Sequence, residues 1–397
     1  MIAETTDVAV VGGGPAGVAA AITLARSGRE VILVDKAQFP RDKCCGDGIT
    51  TGAVRRYAAL GLDPSTVASW QRVDEVILRS PGGRTTAFPL PPVAVARRVD
   101  LDAAFLDVAL DAGVKVHDGH AVTGGQVTNG TVVLDVDGVG AVAARYAIAA
   151  DGMWSPLRKL FGEERDAAYL GHWHAFRQYF TNVGDDARRA MWAWFEPDVI
   201  PGYVWSFPLA DGAANVGFGL VRSGVPTGAM KSMWPELLAR PHIAEVLGAG
   251  SIVEASHKAW PIPCDRDVDL LAAGGGRVLF VGDAARLADP LTGEGIAQAL
   301  ESGTEAALAI LRAGPTDPAG AERRYGAAVG RGLNLDNGLA AALSRVMASR
   351  LGAEGALRIA ASSAWTSRHF GRWLVEDYPR AVVATPWRWL NLTGDKR

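Results

Sequence analysis

Two of the three cysteines of this 397-residue chain are adjacent, in the segment Lys43-Cys44-Cys45-Gly46-Asp47-Gly48. A thiol in glycine-flanked backbone can donate a proton or take part in redox chemistry, and the charge around it sets its pKa. The alternative is that Cys45 is a small buried apolar residue, as free cysteine often is. Cys44 is interpreted as a spacer. Whether Cys45 does chemistry depends on what the neighbouring elements bind.

A complete nucleotide-binding pattern stands before this segment. A short apolar strand leads into the turn Gly12-Gly13-Gly14-Pro15-Ala16-Gly17, an alanine-rich helix and a second strand that ends at Asp35-Lys36. Gly12 permits a tight turn, Gly14 lets backbone approach a pyrophosphate, and Gly17 lets helix and strand pack closely. The helix N-terminus would receive the phosphate charge, and Asp35 has the spacing of an acceptor for ribose hydroxyls.

The composition is that of an ordinary globular protein and excludes several classes of function. The chain has 49% hydrophobic and 21% charged residues, and its net charge of −3 gives no reason to expect nucleic acid as a partner. No stretch approaches the roughly 18 apolar residues of a membrane span. Because the first strand begins close to residue 1 and the cysteines form no disulfide framework, we expect no signal peptide and a cytoplasmic location.

Three later motifs are also strand or helix ends that carry polar residues. One strand ends in Asp151-Gly152, another ends in Gly282-Asp283, and a helix begins near Arg98. The Gly-Asp pair is followed by Pro290-Leu291-Thr292-Gly293-Glu294-Gly295-Ile296 and a helix to about Leu311. Taken in order with the first turn, these motifs resemble those with which flavoproteins of the aromatic hydroxylase type bind FAD.

The resemblance implies FAD as the cofactor and a role for each matching residue. Asp283 would accept hydrogen bonds from ribityl hydroxyls, and Gly293 and Gly295 would present backbone N–H groups to the flavin ring. Arg98 would reach a phosphate or the ring, with a solvated helix start as the alternative. Asp151 is either a cofactor residue or part of an ordinary Asp-Gly turn. The expected cofactor-binding residues are Gly12, Gly14, Pro15, Ala16, Gly17, Asp35, Lys36, Cys45, Gly46, Arg98, Asp151, Gly152, Gly282, Asp283, Pro290, Gly293, Gly295 and Ile296.

The sequence between these motifs alternates as antiparallel strands do. Residues 73–95 predict a hairpin around Pro81-Gly82-Gly83, and residues 172–263 contain further alternating stretches with one face expected to be buried. Such a sheet would cover the flavin like a roof, and the substrate would bind between the sheet and the flavin. Its tryptophans suit a large apolar substrate, although tryptophan in a sheet also serves as core. They are Trp173, Trp192, Trp194, Trp205, Trp234 and Trp260. His172 and His174 share a strand face without further ligands, so no metal site is expected.

A second and better resemblance, to the geranylgeranyl reductase family, is carried by motifs between residues 7 and 300 that are specific in combination. The matching residues are Asp35-Lys36 through Pro40, Lys43, Cys45 to Gly48, Arg98, Tyr203-Val204-Trp205-Ser206-Phe207-Pro208, Gly282-Asp283 and Pro290 to Ile296. Arg286-Leu287 departs from the family pattern, in which a small residue is expected after Gly-Asp-Ala-Ala. That family saturates double bonds of prenyl lipids such as geranylgeranyl chains, archaeal-type ether lipids and the menaquinone tail. The resemblance therefore implies an FAD-dependent prenyl reductase.

Other chemistry shares this architecture. The alternative is an FAD-dependent monooxygenase that hydroxylates a bulky aromatic or quinone-like metabolite, and the aromatic roof disfavours a mere electron-transfer protein. Halogenation is disfavoured because Tyr203–Pro208 replaces the Trp-x-Trp-x-Ile-Pro signature and no lysine lies between Lys43 and Lys115. As a reductase, the protein would use Cys45 as proton donor or redox gate, with Tyr203 and Trp205 lining the substrate tunnel. The electron donor is expected to be external, a nicotinamide nucleotide or a redox protein, because no second glycine-rich turn follows a strand.

The expected fold class is α/β (α+β overall), in which a Rossmann-like FAD-binding domain is interleaved with an antiparallel β-sheet substrate domain. The expected boundaries are 1–72, 97–170 and 265–315 for the FAD-binding domain, 73–96 and 171–264 for the substrate domain, and 316–397 for a helical C-terminal region.

The C-terminal region mixes tryptophan with arginine, which is the composition of a surface that binds lipid headgroups. The residues are Trp365, Arg368, Phe370, Arg372, Trp373, Arg380, Trp387, Arg388 and Trp389. Such a surface would place the protein peripherally on the inner membrane face. A helical cap on the substrate domain is the alternative.

Overall fold

Two β-sheets and a C-terminal group of helices make up the fold in the computed structural model, which describes residues 4–63, 66–162, 169–222, 227–264 and 270–385. The strands are β1 (Glu4–Val11), β2 (Val31–Asp35), β3 (Gly48–Ile49), β4 (Gln71–Arg79), β5 (Thr85–Val95), β6 (Lys115–Asp118), β7 (Val122–Thr128), β8 (Thr131–Val136), β9 (Gly140–Ala149), β10 (Trp173–Thr181), β11 (Met191–Trp194), β12 (Tyr203–Leu209), β13 (Ala213–Val221), β14 (Ile252–Val253), β15 (Lys258–Ile262), β16 (Ala272–Ala273) and β17 (Val278–Phe280).

The helices alternate with the strands in the first part of the chain and follow one another at its end. They are α1 (Pro15–Ala25), α2 (Thr51–Ala59), α3 (Arg98–Asp111), α4 (Pro156–Phe161), α5 (Asp185–Arg189), α6 (Thr227–Leu238), α7 (Pro241–Leu247), α8 (Ile296–Ala313), α9 (Pro318–Arg331), α10 (Leu333–Met347), α11 (Arg350–Ala360) and α12 (Ala364–Leu374). None of the described helices combines the length and apolar character needed to cross a bilayer.

The first sheet has the parallel core of a nucleotide-binding fold. β1 lies between β2 and β9, with β6 and β17 beyond them, and these strands pair in parallel. The apolar runs at 8–11 and 31–34 are buried throughout, as expected where helices cover both faces of a sheet. α1 begins at the carboxyl end of β1, directly after the glycine-rich turn, and packs against α8.

The second sheet is antiparallel among its described strands except that β4 and β11 pair in parallel. The predicted hairpin at 73–95 is confirmed as β4 and β5. The expectation that this sheet buries one face is wrong for β11 and β13, which are buried along almost their whole length. The reason is that helices cover the other face, where Met230, Trp234 and Ile243 of α6 and α7 join its core.

The C-terminal helices form a cap that contacts both parts of the molecule, whereas the alternative interpretation of this region placed the cap on the substrate domain. α9 packs against α8, and α12 packs against β5. Arg380 follows α12 and is buried, and its Nε donates to Asp289 Oδ2 at 2.8 Å. The expectation that Arg380 faces lipid is therefore wrong, because this residue fastens the cap to the loop before α8. Trp387, Arg388 and Trp389 lie outside the described residues.

Removing the charge of Asp289 is expected to destabilise the fold. Asp289→Asn leaves the buried Arg380 guanidinium without its carboxylate, and breaking a buried ion pair in this way costs about 3–5 kcal/mol. Urea unfolding followed by circular dichroism measures the loss. Asp74→Asn is the matched control, because Asp74 and Arg72 form an exposed pair whose removal changes the free energy of unfolding by less than about 1 kcal/mol. Equal effects of the two substitutions would contradict the anchoring role.

Candidate active site

The glycine-rich turn after β1 is packed tightly on one side and open on the other. Gly12 has a φ of +112°, and a Cβ there would lie 2.2 Å from the carbonyl oxygen of Ala150. A Cβ on Gly17 would lie 1.9 Å from the carbonyl oxygen of Gly12. At Gly14, by contrast, the nearest atom to an added Cβ is Nη2 of Arg41, at 3.7 Å. The turn thus needs glycine for its own packing and leaves room for a ligand beside Gly14.

The start of α1 and the end of β2 supply groups that suit a dinucleotide. Gly14 is the N-cap of α1 and Pro15 its first residue, so no capping side chain satisfies the first N–H groups of the helix. Uncapped N–H groups at a helix N-terminus bind phosphate. Asp35 accepts the backbone N–H groups of Gly13 at 2.6 Å and Ala37 at 2.7 Å. Its carboxylate oxygens have further lone pairs, so Asp35 can still accept a ribose hydroxyl.

Two arginines share one carboxylate beside this turn. Arg98 is buried at the start of α3, and its Nε and Nη2 donate to the two oxygens of Asp102 at 2.8 and 2.7 Å. Nη1 of Arg41 lies 2.8 Å from the same carboxylate. The burial of Arg98 rules out a solvated helix start. Two cations against one anion leave net positive charge next to Gly14, which favours a pyrophosphate.

Asp151 and Asp283 follow the neighbouring strands β9 and β17 at the same edge of the first sheet. Oδ2 of Asp151 accepts a backbone N–H at 2.9 Å, whereas its Oδ1 is buried without a hydrogen-bond partner. Burial raises the pKa of Asp151 to about 6 and also raises that of Asp283. Gly152 and Gly282 beside them have φ values of +80° and +57°. A ligand rich in hydroxyl groups would supply the donors that these desolvated carboxyls lack.

The loop Pro290–Gly295 carries the chain from this edge of the sheet into α8. Gly293 has a φ of +72°, Gly295 is the N-cap of α8, and Ile296 is the first residue of the helix. Oδ1 of Asp283 lies 3.7 Å from the position that a Cβ on Gly295 would occupy. The positive end of α8 and the Asp283 carboxyl therefore flank one space, as a flavin ring with its ribityl chain requires.

The Lys43–Gly48 segment crosses from the first sheet to the second. The Sγ of Cys45 accepts the backbone N–H of Asp47 at 3.3 Å. Burial raises the pKa of the Cys45 thiol to about 12, so the thiol keeps its proton at neutral pH. Cys44 is also a free thiol, and its Sγ donates to the carbonyl oxygen of Lys258 at 3.5 Å. This geometry favours a protonated thiol at Cys45 over a redox gate, which needs a reactive thiolate.

Asp47 holds the Cys45 loop in place. It is buried with a φ of +63°, and its Oδ2 accepts hydrogen bonds from Tyr179 Oη at 2.7 Å and Asn215 Nδ2 at 2.8 Å. Asn215 also donates to the carbonyl oxygen of Cys45 at 2.8 Å and accepts the indole N–H of Trp205 at 3.0 Å. Burial raises the pKa of Asp47 to about 6. Trp205 thus supports the Cys45 loop indirectly, through its hydrogen bond to Asn215.

A cavity of about 1260 Å³ lies between the second sheet and helices α10–α12. It exceeds the roughly 300–1,000 Å³ of ordinary ligand pockets, and its lining is mostly apolar. Gly48 and Thr50 line it next to the Cys45 loop, and Thr292 and Glu294 line it from the loop before α8. Tyr203 of β12 connects the second sheet to the loop before α8, since its Oη donates to the carbonyl oxygen of Thr292 at 2.6 Å. One end of the cavity therefore adjoins the expected flavin position.

The tryptophans of the second sheet mostly serve as core. Five of them are buried, namely Trp173, Trp192, Trp194, Trp205 and Trp234. Trp260 instead carries the Lys43 ammonium over its ring, 3.7 Å from the centroid. The aromatic part of the cavity wall consists of other residues, several of them from the C-terminal helices. These are Phe195, Tyr203, Phe207, Trp365, Phe370, Trp373 and Tyr378.

Sequence reasoning missed several residues of this site. Arg41 and Asp47 lie within or next to the cysteine segment, where an arginine and an Asp-Gly pair were visible but were given no role. Asn215 and Tyr179 contact Asp47 from 168 and 132 residues away, and no local pattern reveals such contacts. Glu294 belongs to the Pro290–Ile296 motif, but the motif alone gave it no role.

Gly17→Ala is expected to abolish binding of the flavin dinucleotide. The added methyl would lie 1.9 Å from the carbonyl oxygen of Gly12 and would push α1 away from the turn. Absorbance of the flavin that remains bound after reconstitution and gel filtration measures the effect. Gly326→Ala in α9 is the control, since nothing lies within 4 Å of that added methyl and full binding is expected. Full flavin content in Gly17→Ala would refute the role of the turn.

Comparison with known proteins identifies the cofactor and the family. A family model described as an FAD binding domain matches residues 5–195. A menaquinone reductase of Mycolicibacterium smegmatis is 34% identical, covering 98% of this chain and 96% of that protein. A digeranylgeranylglycerophospholipid reductase of Methanopyrus kandleri is 33% identical over 80% of this chain and 84% of its own length. A geranylgeranyl bacteriochlorophyll reductase-like protein of Thermoplasma acidophilum shares the fold, with a TM-score of 0.78 at 22% identity over 97% of this chain and 99% of that one.

The residues around the turn fit FAD. The uncapped N–H groups of α1 and the excess positive charge would bind its phosphates, and the desolvated carboxyls would accept hydrogen bonds from its hydroxyl groups. The cofactor is FAD, and the enzyme is an FAD-dependent reductase rather than the alternative hydroxylase. The chain belongs to the geranylgeranyl reductase family.

Proposed function

We propose that this enzyme reduces isolated carbon–carbon double bonds of a prenyl lipid, of the geranylgeranyl or menaquinone-tail type. The observation that carries the proposal is the large apolar cavity that ends beside the FAD site. Two relatives named for menaquinone and digeranylgeranylglycerophospholipid reduction support this substrate class. Bound FAD, once reduced, supplies the hydride for such a reaction.

The distribution of polar groups in the cavity suits a long apolar chain with a reacting end. Thr50, Tyr203, Thr292 and Glu294 line the end of the cavity beside the FAD site, and Thr366, His369 and Tyr378 add polar groups on the side of the cap. The walls beyond them are formed by residues such as Leu339, Leu343 and Leu357. An isolated alkene is not polarised, so its reduction depends on positioning and on exclusion of water. Apolar walls provide both for an isoprenoid chain.

We also propose that the electron donor is external, either a nicotinamide nucleotide or a redox protein. Among the described residues, the glycine-rich turn at 12–17 leads from a strand directly into a helix and is used by FAD, whereas Gly274–Gly276 after β16 turns back into β17. In this proposal, residues 1–72, 97–170 and 265–315 hold FAD. The substrate lies between residues 73–96 and 171–264 on one side and, on the other, the cap that the described part of the C-terminal region (316–397) forms.

The lipid is taken, in this proposal, from an anionic membrane surface at the mouth of the cavity. Val346, Ile359 and Trp365 line the cavity and are also exposed, so the cavity opens between α10, α11 and α12. Leu351 is 86% exposed, Ile359 71% and Trp365 68%. Exposed apolar side chains around an apolar opening suit insertion into the headgroup region of a bilayer.

The charged residues around the mouth of the cavity are mainly positive, which suits an anionic membrane surface. Residues 345–368 contain four arginines and a single acidic residue, Glu354. The arginines are Arg345, Arg350, Arg358 and Arg368, and all four are exposed. Clustered arginines next to apolar residues bind anionic headgroups, each by about 1 kcal/mol near the surface. The protein would then act peripherally, on the cytoplasmic face of the membrane.

The reductase proposal predicts a mass gain of two hydrogens per reduced double bond. The FAD-loaded protein is reduced with dithionite under nitrogen and incubated with geranylgeranyl diphosphate, which has no quinone ring that dithionite could reduce, and the products are analysed by mass spectrometry. Gly17→Ala, which lacks FAD, is the control and should give no product. Product that forms only after oxygen is admitted, with one oxygen atom added, would establish a monooxygenase and sink the proposal.

The membrane proposal predicts that a double Leu351→Ser, Ile359→Ser variant partitions at least about tenfold less into vesicles, since each buried aliphatic side chain contributes about 1.5–3 kcal/mol. Sedimentation with phosphatidylcholine vesicles, with and without phosphatidylglycerol, measures binding, and the wild type should prefer the anionic vesicles. Ile252→Ser is the matched control, because Ile252 is 61% exposed but lies in β14, away from the cavity lining. Equal losses in the two variants would argue against this surface.

A further inference from the structure

Glu294 is the one carboxyl-bearing residue among the described residues that line the cavity. Its backbone N–H donates to Thr292 Oγ1 at 3.3 Å, and its Oε1 accepts the N–H of Ile296 at 3.0 Å. The carboxyl is therefore held by its own loop at the start of α8. It stands at the end of the cavity where Thr50 and Tyr203 also face the substrate space.

The surroundings of Glu294 favour its neutral, protonated form. Burial and, second to it, the nearby Glu376 carboxylate raise the pKa of this carboxyl to about 8, although the Ile296 N–H and Arg98 act in the opposite direction. Glu376 is itself held by hydrogen bonds, since its oxygens accept Thr50 Oγ1 at 2.8 Å and Gln298 Nε2 at 2.6 Å.

We propose that Glu294 is the catalytic acid that protonates the alkene, an inference that rests on the proposed reduction of double bonds. The O–H bond of Glu294 breaks and a C–H bond forms at one alkene carbon, while the other carbon receives the hydride that reduced FAD supplies. The π electrons of the alkene form the new C–H bond, FAD is left oxidised, and Glu294 is left as a carboxylate. Water restores its proton after the product leaves.

Cys45 is a weaker candidate for this role. Burial raises the pKa of its thiol to about 12, and burial likewise raises the pKa of the Tyr203 hydroxyl above its ordinary value. A general acid is most effective when its pKa is close to the working pH, which Glu294 satisfies and the other two do not. In addition, Gly48 and Thr50 line the cavity next to the Cys45 loop, while Glu294 lines it directly.

The proton affinity of Glu294 depends on charged and titratable groups from several elements. They are Asp289 before α8, Glu376 after α12, Arg98 in α3, Tyr57 in α2, Cys45 before β3 and Tyr203 in β12, and Asp289 is in turn paired with Arg380 after α12. Of these, Asp289 and Arg380 neutralise each other across 2.8 Å. Among these groups, the Glu376 carboxylate has the largest effect on the pKa of Glu294, which it raises.

The test compares Glu294→Gln with the wild type in the anaerobic assay with geranylgeranyl diphosphate. Loss of a general acid typically lowers the rate by about 10²–10⁴-fold, and this fall is expected at pH 7 while FAD content stays unchanged. Because the protonated carboxyl is the active form, the wild-type rate should fall as the pH rises through about 8. Glu294→Gln should lack this decline, and Glu294→Asp should restore part of the rate. Glu305→Gln in α8 is the control and should behave as wild type.

A second readout does not depend on turnover. Infrared difference spectra of the substrate-free protein between pH 6 and pH 10 should show the C=O band of a protonated carboxyl that disappears through about pH 8 in the wild type. The band should be missing in Glu294→Gln and present in Glu305→Gln. A band that persists in Glu294→Gln would show that another carboxyl titrates there and would overturn the assignment.

The outcomes separate this inference from the proposed function. A wild type that reduces no prenyl lipid overturns both proposals. A wild type that reduces the lipid while Glu294→Gln does so at the same rate and with the same pH profile overturns the Glu294 assignment alone. A Cys45→Ala variant that loses turnover while Glu294→Gln keeps it would assign the proton to the thiol.

Discussion

The geometry of the site depends on the hydrogen bonds that the buried carboxyl of Asp47 accepts. The chain leaves the first sheet after β2 and enters the second at β3, and Asp47 stands just before that entry. Tyr179 and Asn215 of the second sheet both donate to it, and Asn215 also holds the Cys45 carbonyl. The relative position of the FAD site and the cavity is thereby set by hydrogen bonds, in a place where an unpaired carboxyl would be costly.

Charged groups lie on the FAD side of Asp47, and apolar surface lies on the cavity side. On the FAD side, Arg41, Arg98 and Asp102 form a buried cluster with excess positive charge beside the glycine-rich turn. On the cavity side the walls are apolar, and the Arg380–Asp289 pair is internally neutral. The charged cofactor and the apolar substrate each meet a matching surface, and Glu294 lies where the two surfaces join.

The parts of the fold that were predictable from sequence are those fixed by local backbone requirements. Gly12 and Gly17 are needed for close packing within one strand–turn–helix unit, and the β4–β5 hairpin follows from alternation around one turn. The cavity wall was not predictable in the same way. Alternation in β11 and β13 is compatible with helices or with substrate on the second face, and only the tertiary fold shows that α6 and α7 cover it. The contacts of Asn215 and Arg380 likewise join distant parts of the chain.

Asp289 uses its two oxygens for different neighbours. Oδ1 accepts the N–H groups of Leu291 and Thr292 at 2.7 and 3.1 Å and shapes the loop that carries Glu294, whereas Oδ2 binds Arg380 at the base of the cap. Arg380 also donates to the carbonyl oxygen of Leu374 at 3.1 Å, so the loop before α8 and the C-terminal end of α12 are joined at the inner end of the cavity. For protein engineering, this means that substitutions in α11, which lies outside this set of hydrogen bonds, leave the geometry of the reacting end in place.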